Sequence, residues 1–305
     1  MEEITFESIK DYQDYLKQRQ ELMAYCKKIN QGIENLDEKS GERAIWELLQ
    51  NARDMDENSH IRIELKPDKI VFSHRGKPFD YTSLLALVNQ NSSKDNPGAE
   101  LVGQYGTGFM TTHAFCDIVK VSAPYKVMSG PGKLIGYVYM QDLELNRSYR
   151  NDLEKAIEEM RSEMKLVDNM HKTTPLYPTY DSLAEEQKWT SFTYQLESSN
   201  VDSISKQLTS AIRLMSFVLV INGRIKEIEV KNLYAKCHFR IIKKNSAIKQ
   251  RMEENTEWYK IVDEIETTDM LTGKSTSVAV TSLQLFNEDG KVNDVVILPP
   301  YPEYC

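Results

Sequence analysis

The sequence predicts an α+β fold with a second, smaller α/β unit behind it. Three observations predict this. Segments of helical period and segments of strict alternation follow one another, and neither dominates the first two hundred residues. The first two alternating stretches are joined by a short turn, as in an antiparallel hairpin. From residue 224 onward the chain is mostly β-rich.

Residues 1–37 carry helical spacing at Tyr12, Tyr15, Leu16, Leu22 and Tyr25, the mark of one or two amphipathic helices. Ser40 is the expected N-cap of a helix over roughly 41–56. Ile61, Ile63 and Leu65 alternate, KPDK turns, and Ile70 and Phe72 alternate again. Asp80 can cap a short helix through Leu84, Leu87 and Val88. After the polar stretch NQNSSKDNPGAE and the segment GQYGTGF, residues Phe109 to Phe115 read as helical. Asp117 to Ala123 and Leu134 to Met140 read as strands. Asn151 to Met170 reads as a highly charged, solvent-facing helix with few apolar anchors, and Trp189 to Leu196 as another strand. A helix from Val201 and a strand from Arg224 to Val230 open the second unit, so the expected domains are 1–198 and 199–305.

Charged residues make up 28% of the 305 and hydrophobic ones 40%, the balance of an ordinary globular protein. A net charge of -8 argues against nucleic acid as the main ligand, because phosphate backbones are bound through Lys and Arg clusters. Cys26, Cys116, Cys237 and Cys305 are scattered and offer no paired zinc ligands. The start MEEITFESIKDYQDY lacks the apolar core of a signal peptide. The apolar runs Leu84 to Val88 and Phe217 to Ile221 are far too short to cross a bilayer. The expected compartment is the cytoplasm, without a membrane partner. The end, VVILPPYPEYC, starts as a strand and stops after prolines, more like a cut between domains than a tail. We therefore expect the front part of a longer protein.

Two segments carry candidate chemistry. Glu47, Asn51 and Asp54 lie four and three residues apart, within one narrow stripe at about 100° per residue. Ile45, Leu48, Ala52 and Met55 form the neighbouring stripe, suited to packing on a sheet. A carboxylate beside an amide can activate water and hold a metal ion; the same pattern also fits the polar side of a surface helix. Gly103-Gln104-Tyr105-Gly106-Thr107-Gly108-Phe109 has three glycines that let backbone amides approach a phosphate. No Gly-Lys-Ser/Thr follows, so it is not a Walker A loop, and alone it could be a tight turn.

The order of the pieces is more specific. ELLQNARD on a helix, a hairpin ending in HRGKPF, a linker with SSK, and then GQYGTGF resemble the ATP-binding half of the GHKL (gyrase, heat-shock chaperone, histidine kinase, MutL) ATPase superfamily. The likeness is greatest to the ninety-kilodalton heat-shock chaperones and to sacsin-like ATPases. It covers roughly 40–125 and returns at KWTSFTYQL. The resemblance implies the Bergerat fold, a two-layer α+β sandwich whose mixed sheet carries helices on one face. A transducer-like or middle-domain-like unit would follow. It implies ATP and magnesium as ligands, slow hydrolysis, and coupling to a homodimer partner or to downstream domains. Chaperone-like work or bacterial stress and antiviral defence are the settings it brings to mind.

Carried over by position, Glu47 would be the general base and Asn51 the magnesium ligand. Asp54 would lie toward the sugar and Gly76 close to adenine. Ser92, Ser93 and Lys94 would lie in a mobile lid. Gly103, Gln104, Tyr105, Gly106, Thr107, Gly108 and Phe109 would surround the phosphates, and Thr190 would back the adenine pocket. His74 stands where the family has an aspartate that accepts a bond from the adenine amino group. A neutral imidazole can also accept one; the other reading is a surface histidine at a strand end. His113 reads as a packed core residue, while His60, His171 and His238 show no partner pattern. Lys226, Lys243 and Lys244 could reach back to a phosphate, and none is assigned. A nucleotide-gated binding module with little hydrolysis is the alternative function. A histidine kinase would need a phospho-acceptor helix, which none of the histidines supplies.

Overall fold

In the computed structural model, which describes residues 6–56, 58–90, 107–221, 224–251, 258–286 and 292–297, helices and strands interleave along the chain. The order begins α1 (Ile9–Glu34), α2 (Ser40–Met55), β1 (Ser59–Leu65), β2 (Lys69–Arg75) and α3 (Tyr81–Asn89). The short α4 (Thr107–Met110) runs into a 3-10 turn, Thr111–Ala114, and then the long hairpin of β3 (Ile118–Gly130) and β4 (Lys133–Asn146). Next come α5 (Leu153–Thr173), β5 (Trp189–Gln195), α6 (Val201–Ile221) and β6 (Ile225–Asn232). The described chain closes with β7 (Cys237–Arg251), β8 (Trp258–Asp269), β9 (Ser275–Phe286) and β10 (Val292–Ile297). The architecture is mixed α and β. Two compact units form, Met1–Glu47 with Pro78–Lys188, and Leu48–Lys77 with Trp189–Cys305. The boundary expected at 198/199 lies inside the second of them.

In the first unit, α1 turns Leu22, Cys26, Ile29 and Ile33 inward, while Tyr12 and Leu16, on the expected stripe, stay 47% and 38% exposed. Residues 9–34 make one helix, not two. Ser40 is the first residue of α2 rather than the cap before it, and it is joined to Asp37 upstream. The Lys39 amide donates to Asp37 Oδ1 (3.1 Å), and the buried Ser40 hydroxyl accepts from the Asp37 amide (2.8 Å). Inside the first turn, the Ser40 hydroxyl also donates to Asp37 Oδ1 (2.8 Å) and accepts from Arg43 Nη2 (2.7 Å). Asp80 caps α3 as expected: the Ser83 amide donates to its carboxylate (2.7 Å), and Ser83 Oγ accepts from the Asp80 amide (2.9 Å).

The solvent-facing helix expected from Asn151 to Met170 is corrected. α5 packs on α1, α3 and β4 and buries Ile157, Met160, Glu163, Val167 and Met170. That stripe hides in the sequence because one of its members is an acid. Glu163 accepts both guanidinium Nη groups of Arg147 (2.7 and 2.9 Å) and the Asn146 amide (2.8 Å). Burial raises the Glu163 carboxyl, and Arg147 draws it back. Arg147 also donates to Val88 O (2.8 Å) at the end of α3.

The hairpin of β3 and β4 is longer than its expected strands and closes at Gly132, whose φ is +69°. A strap lies along the far side of β4, where Tyr177 and Tyr137 exchange amide-to-carbonyl bonds of 2.8 and 2.7 Å. A Cβ on Gly136 would sit 2.5 Å from Tyr177 O, so only glycine admits the strap.

In the second unit, neighbouring strands follow the order β10-β9-β8-β7-β6-β1-β2-β5. All these pairs are antiparallel except β1 with β6, which makes the sheet mixed. Ile61, Ile63 and Leu65 of β1, and Ile70 and Phe72 of β2, are buried with Phe192, Tyr194, Ile228 and Val230 on one face. α6 packs over β6, β7 and β8. The alternate residues of β1, β2 and their neighbours are mostly polar: Arg62 lies over the Trp189 ring at 4.0 Å, and Arg240 grips Glu227 through two 2.8 Å bonds.

Removing one partner of the buried pair leaves the other charge without compensation. Arg147→Met should therefore destabilise the chain by about 3–5 kcal/mol. Arg147→Met combined with Glu163→Leu should recover most of that loss in urea unfolding.

Candidate functional site

β2 alternates strictly, and its third buried position, after Ile70 and Phe72, is His74. An apolar residue would satisfy the fold there. His74 is fully buried, its ring stacked on Phe192 at 6.3 Å and opposite Thr190 in the β2–β5 register. Its Nδ1 lies 3.4 Å from Arg75 O, and its Nε2 is buried with no hydrogen-bond partner. Burial holds the ring neutral, with its pKa pushed down to about 4. The reading of a surface histidine at a strand end is excluded. A buried polar atom left unpaired costs about 1–3 kcal/mol, so the choice of histidine here calls for a reason outside packing.

Asn51 of the same unit shares this pattern. Asn51 is 3% exposed, and its Nδ2 is likewise buried without a partner. Thr190 is buried. Asp54 is half-buried, 3.5 Å from Arg53. The apolar stripe of α2, Ile45, Leu48, Ala52 and Met55, is buried throughout. Gly76 is required by the end of α2: a Cβ there would meet Met55 Cβ at 2.9 Å and His74 Nδ1 at 3.3 Å. The Lys77 amide donates to Met55 O (3.1 Å), tying the end of the hairpin to the end of the helix.

Glu47 and Gly108 lie together in the first unit. A Cβ on Gly108 would overlap the Glu47 carboxylate, so the acid rests directly on the first turn of α4. Burial alone raises the Glu47 carboxyl above its ordinary value. A carboxylate so placed is a stronger base than a solvated one. Phe109 is fully buried, and the backbone of Thr107 opens α4. Ser92, Ser93, Lys94, Gly103, Gln104, Tyr105 and Gly106 lie outside the described residues.

The other histidines divide as follows. His113 is buried, as expected of a core residue, but it is also bonded on both ring nitrogens, to Gln90 (2.7 Å) and Cys116 O (3.2 Å). Burial pushes its pKa down to about 3. The sequence gives no sign of the Gln90 partner, which lies 23 residues away. His238 meets Glu229 at 2.7 Å, and His60 lies 3.6 Å from Glu227. Lys244 pairs with Glu266. A shallow hollow of about 340 Å³ on the sheet, lined by Arg62, Ser73, Glu229, Lys231 and His238 among others, contains none of the expected site residues. No helix among the described residues is long and apolar enough to cross a membrane. The chain matches no protein-family model and no curated protein.

His74 and His113 make a joint prediction. Folded, both rings stay neutral down to about pH 4 and about pH 3; unfolded, each takes up a proton near 6.5. The unfolded chain binds more protons below 6.5, so acidification removes stability, by about 1.4 kcal/mol per ring per pH unit. Urea midpoints measured from pH 7 to pH 5 should fall, and His74→Leu should flatten that slope.

Proposed function

We propose that this chain is a GHKL-type ATP-binding domain, Bergerat in fold with a second α/β domain behind it, that binds ATP with magnesium and hydrolyses it slowly. The observation that carries the reading is His74: a neutral, fully buried imidazole with an unpaired Nε2, at a strand position that packing would give to an apolar residue. The resemblance assigns that position to recognition of the adenine amino group, and an imidazole lone pair can accept a hydrogen bond from it. Asn51, whose amide is also unpaired on one side, fits the same explanation.

The residues suit the nucleotide and its ion. Magnesium, when bound, would supply charge neutralisation at the phosphates. Asn51 would offer it the amide oxygen. Thr190, in register with His74, would back the base, and Asp54 would lie toward the sugar. Glu47, raised by burial, would orient a water and take its proton as the water attacks the γ-phosphorus, while the bond to the β,γ-bridging oxygen breaks and ADP leaves with that electron pair. Gly108 leaves the Glu47 carboxylate the room that a side chain would occupy. The cycle would be coupled to a second copy or to a partner domain in the cytoplasm, in chaperone-like or defence work.

Two variants separate site from scaffold. His74→Leu continues the apolar stripe of β2 and removes an unpaired polar atom, so stability should hold or rise. Its affinity for magnesium-ATP, by calorimetry, should drop about tenfold, the worth of one buried hydrogen bond. Unchanged affinity would sink the adenine role. Glu47→Ala should bind ATP yet lose at least about 100-fold in phosphate release, the scale of general-base catalysis. Turnover equal to the natural protein's would remove Glu47 from the chemistry, and binding without any turnover in either protein would favour a nucleotide-gated module.

A further inference from the structure

The turn of α4 carries Gly108 against Glu47, and something must fix that turn. Thr111 and Thr112 donate their hydroxyls to Gly108 O and Phe109 O, each at 2.7 Å, which closes the turn on itself. Phe109 and Met110 are buried, and Met110 Sδ would lie 2.6 Å from a Cβ on Gly32 of α1. Apolar packing of this kind sets depth without imposing direction. The directional link is His113, three residues beyond Met110, whose Nε2 lies 2.7 Å from Gln90 Nε2 and whose Nδ1 lies 3.2 Å from Cys116 O.

The chemistry of the ring allows one arrangement. A carbonyl can only accept, so Nδ1 carries the proton and donates to Cys116 O. The Nε2 of a neutral ring is then an acceptor, and Gln90 donates to it. Gln90 is fully buried and sits in the left-handed region at φ 45°, a conformation that costs a non-glycine residue about 1 kcal/mol or more unless its surroundings enforce it. The end of α3 just before it is held in turn, since Arg147 donates to Val88 O and is gripped by Glu163. In sequence, Gln90 directly precedes residues 91–106 and Thr107 directly follows them.

We infer that Gln90 and His113 are a positioning pair that holds the α4 turn, and with it Gly108, against the carboxylate of Glu47. The inference rests on the proposed role of Glu47 as base; neither member of the pair touches reacting atoms. Loss of the pair loosens the turn, admits water to Glu47, and leaves the base misplaced while the residues assigned to adenine and sugar are untouched.

The test uses the full chain with carboxyl-labelled glutamate, the Glu47 signal being identified by its absence in Glu47→Gln. Gln90→Met removes the donor, and Ile157→Ala, in the core of the same unit, serves as a control for stability loss. In nucleotide-free protein, Gln90→Met should bring the Glu47 titration back toward the ordinary carboxylate value, whereas Ile157→Ala leaves it raised. With magnesium-ATP, kcat for Gln90→Met should fall on the order of tenfold while KM stays within about twofold, the signature of a misplaced catalytic group. His113→Asn, which keeps a donor toward Cys116 but offers Gln90 no ring acceptor, should give the same shift and replaces Gln90→Met if that variant does not fold. A folded variant of either kind whose Glu47 titrates as in the natural protein overturns the pair. If the natural protein releases no phosphate but the titration shifts, the ATPase reading fails and the positioning pair stands.

Discussion

Strand pairing between distant parts of the chain underlies the second unit. β2 pairs with β5, and β1 with β6, although the whole of Pro78–Lys188 separates the partners along the chain. These pairings set the register that puts His74 opposite Thr190 and Phe72 opposite Phe192. Side chains alternate with a period of two, so a slip of one residue would bring Ser73 and Arg75 inside and turn His74 out. Contacts of such separation are slow to form, because the closure of a long loop is paid before they reward it.

Elements with clean periods were legible in the sequence. The alternation at Ile61, Ile63, Leu65, Ile70 and Phe72, the apolar stripe of α2 and the Asp80 cap all depend on neighbours within a few residues. What was not legible depends on partners far away. α5 looks solvent-facing until Arg147 accounts for Glu163 as a member of its inner stripe. The division into units is hidden because each is made of two separate stretches of chain. Ser40 was expected just outside α2 and opens it instead, since Asp37 and Ser40 answer each other and only geometry shows which one stands outside the helix.

Within the candidate site, the sequence set His113 apart as a core residue and left His74 with two readings. His74 and His113 are the same residue type, both buried, both neutral. One has a partner on each ring nitrogen, Gln90 on one side and Cys116 O on the other. The other leaves Nε2 unpaired in an apolar layer. The first pattern is what a fold requires of a buried imidazole, and the second is what a ligand would complete. No periodicity separates them, because the difference lies in Gln90 and Cys116 on one side and in Phe192 on the other.

Gly136 has a consequence for solubility. An outer strand with free amides and carbonyls is a template for another chain's strand, and native proteins cover or blunt such edges. Tyr177 occupies that template on β4, and it can do so only because nothing projects from Gly136. The absent methyl group at this position thus guards the chain against intermolecular sheet growth, a task usually given to a charge or a proline.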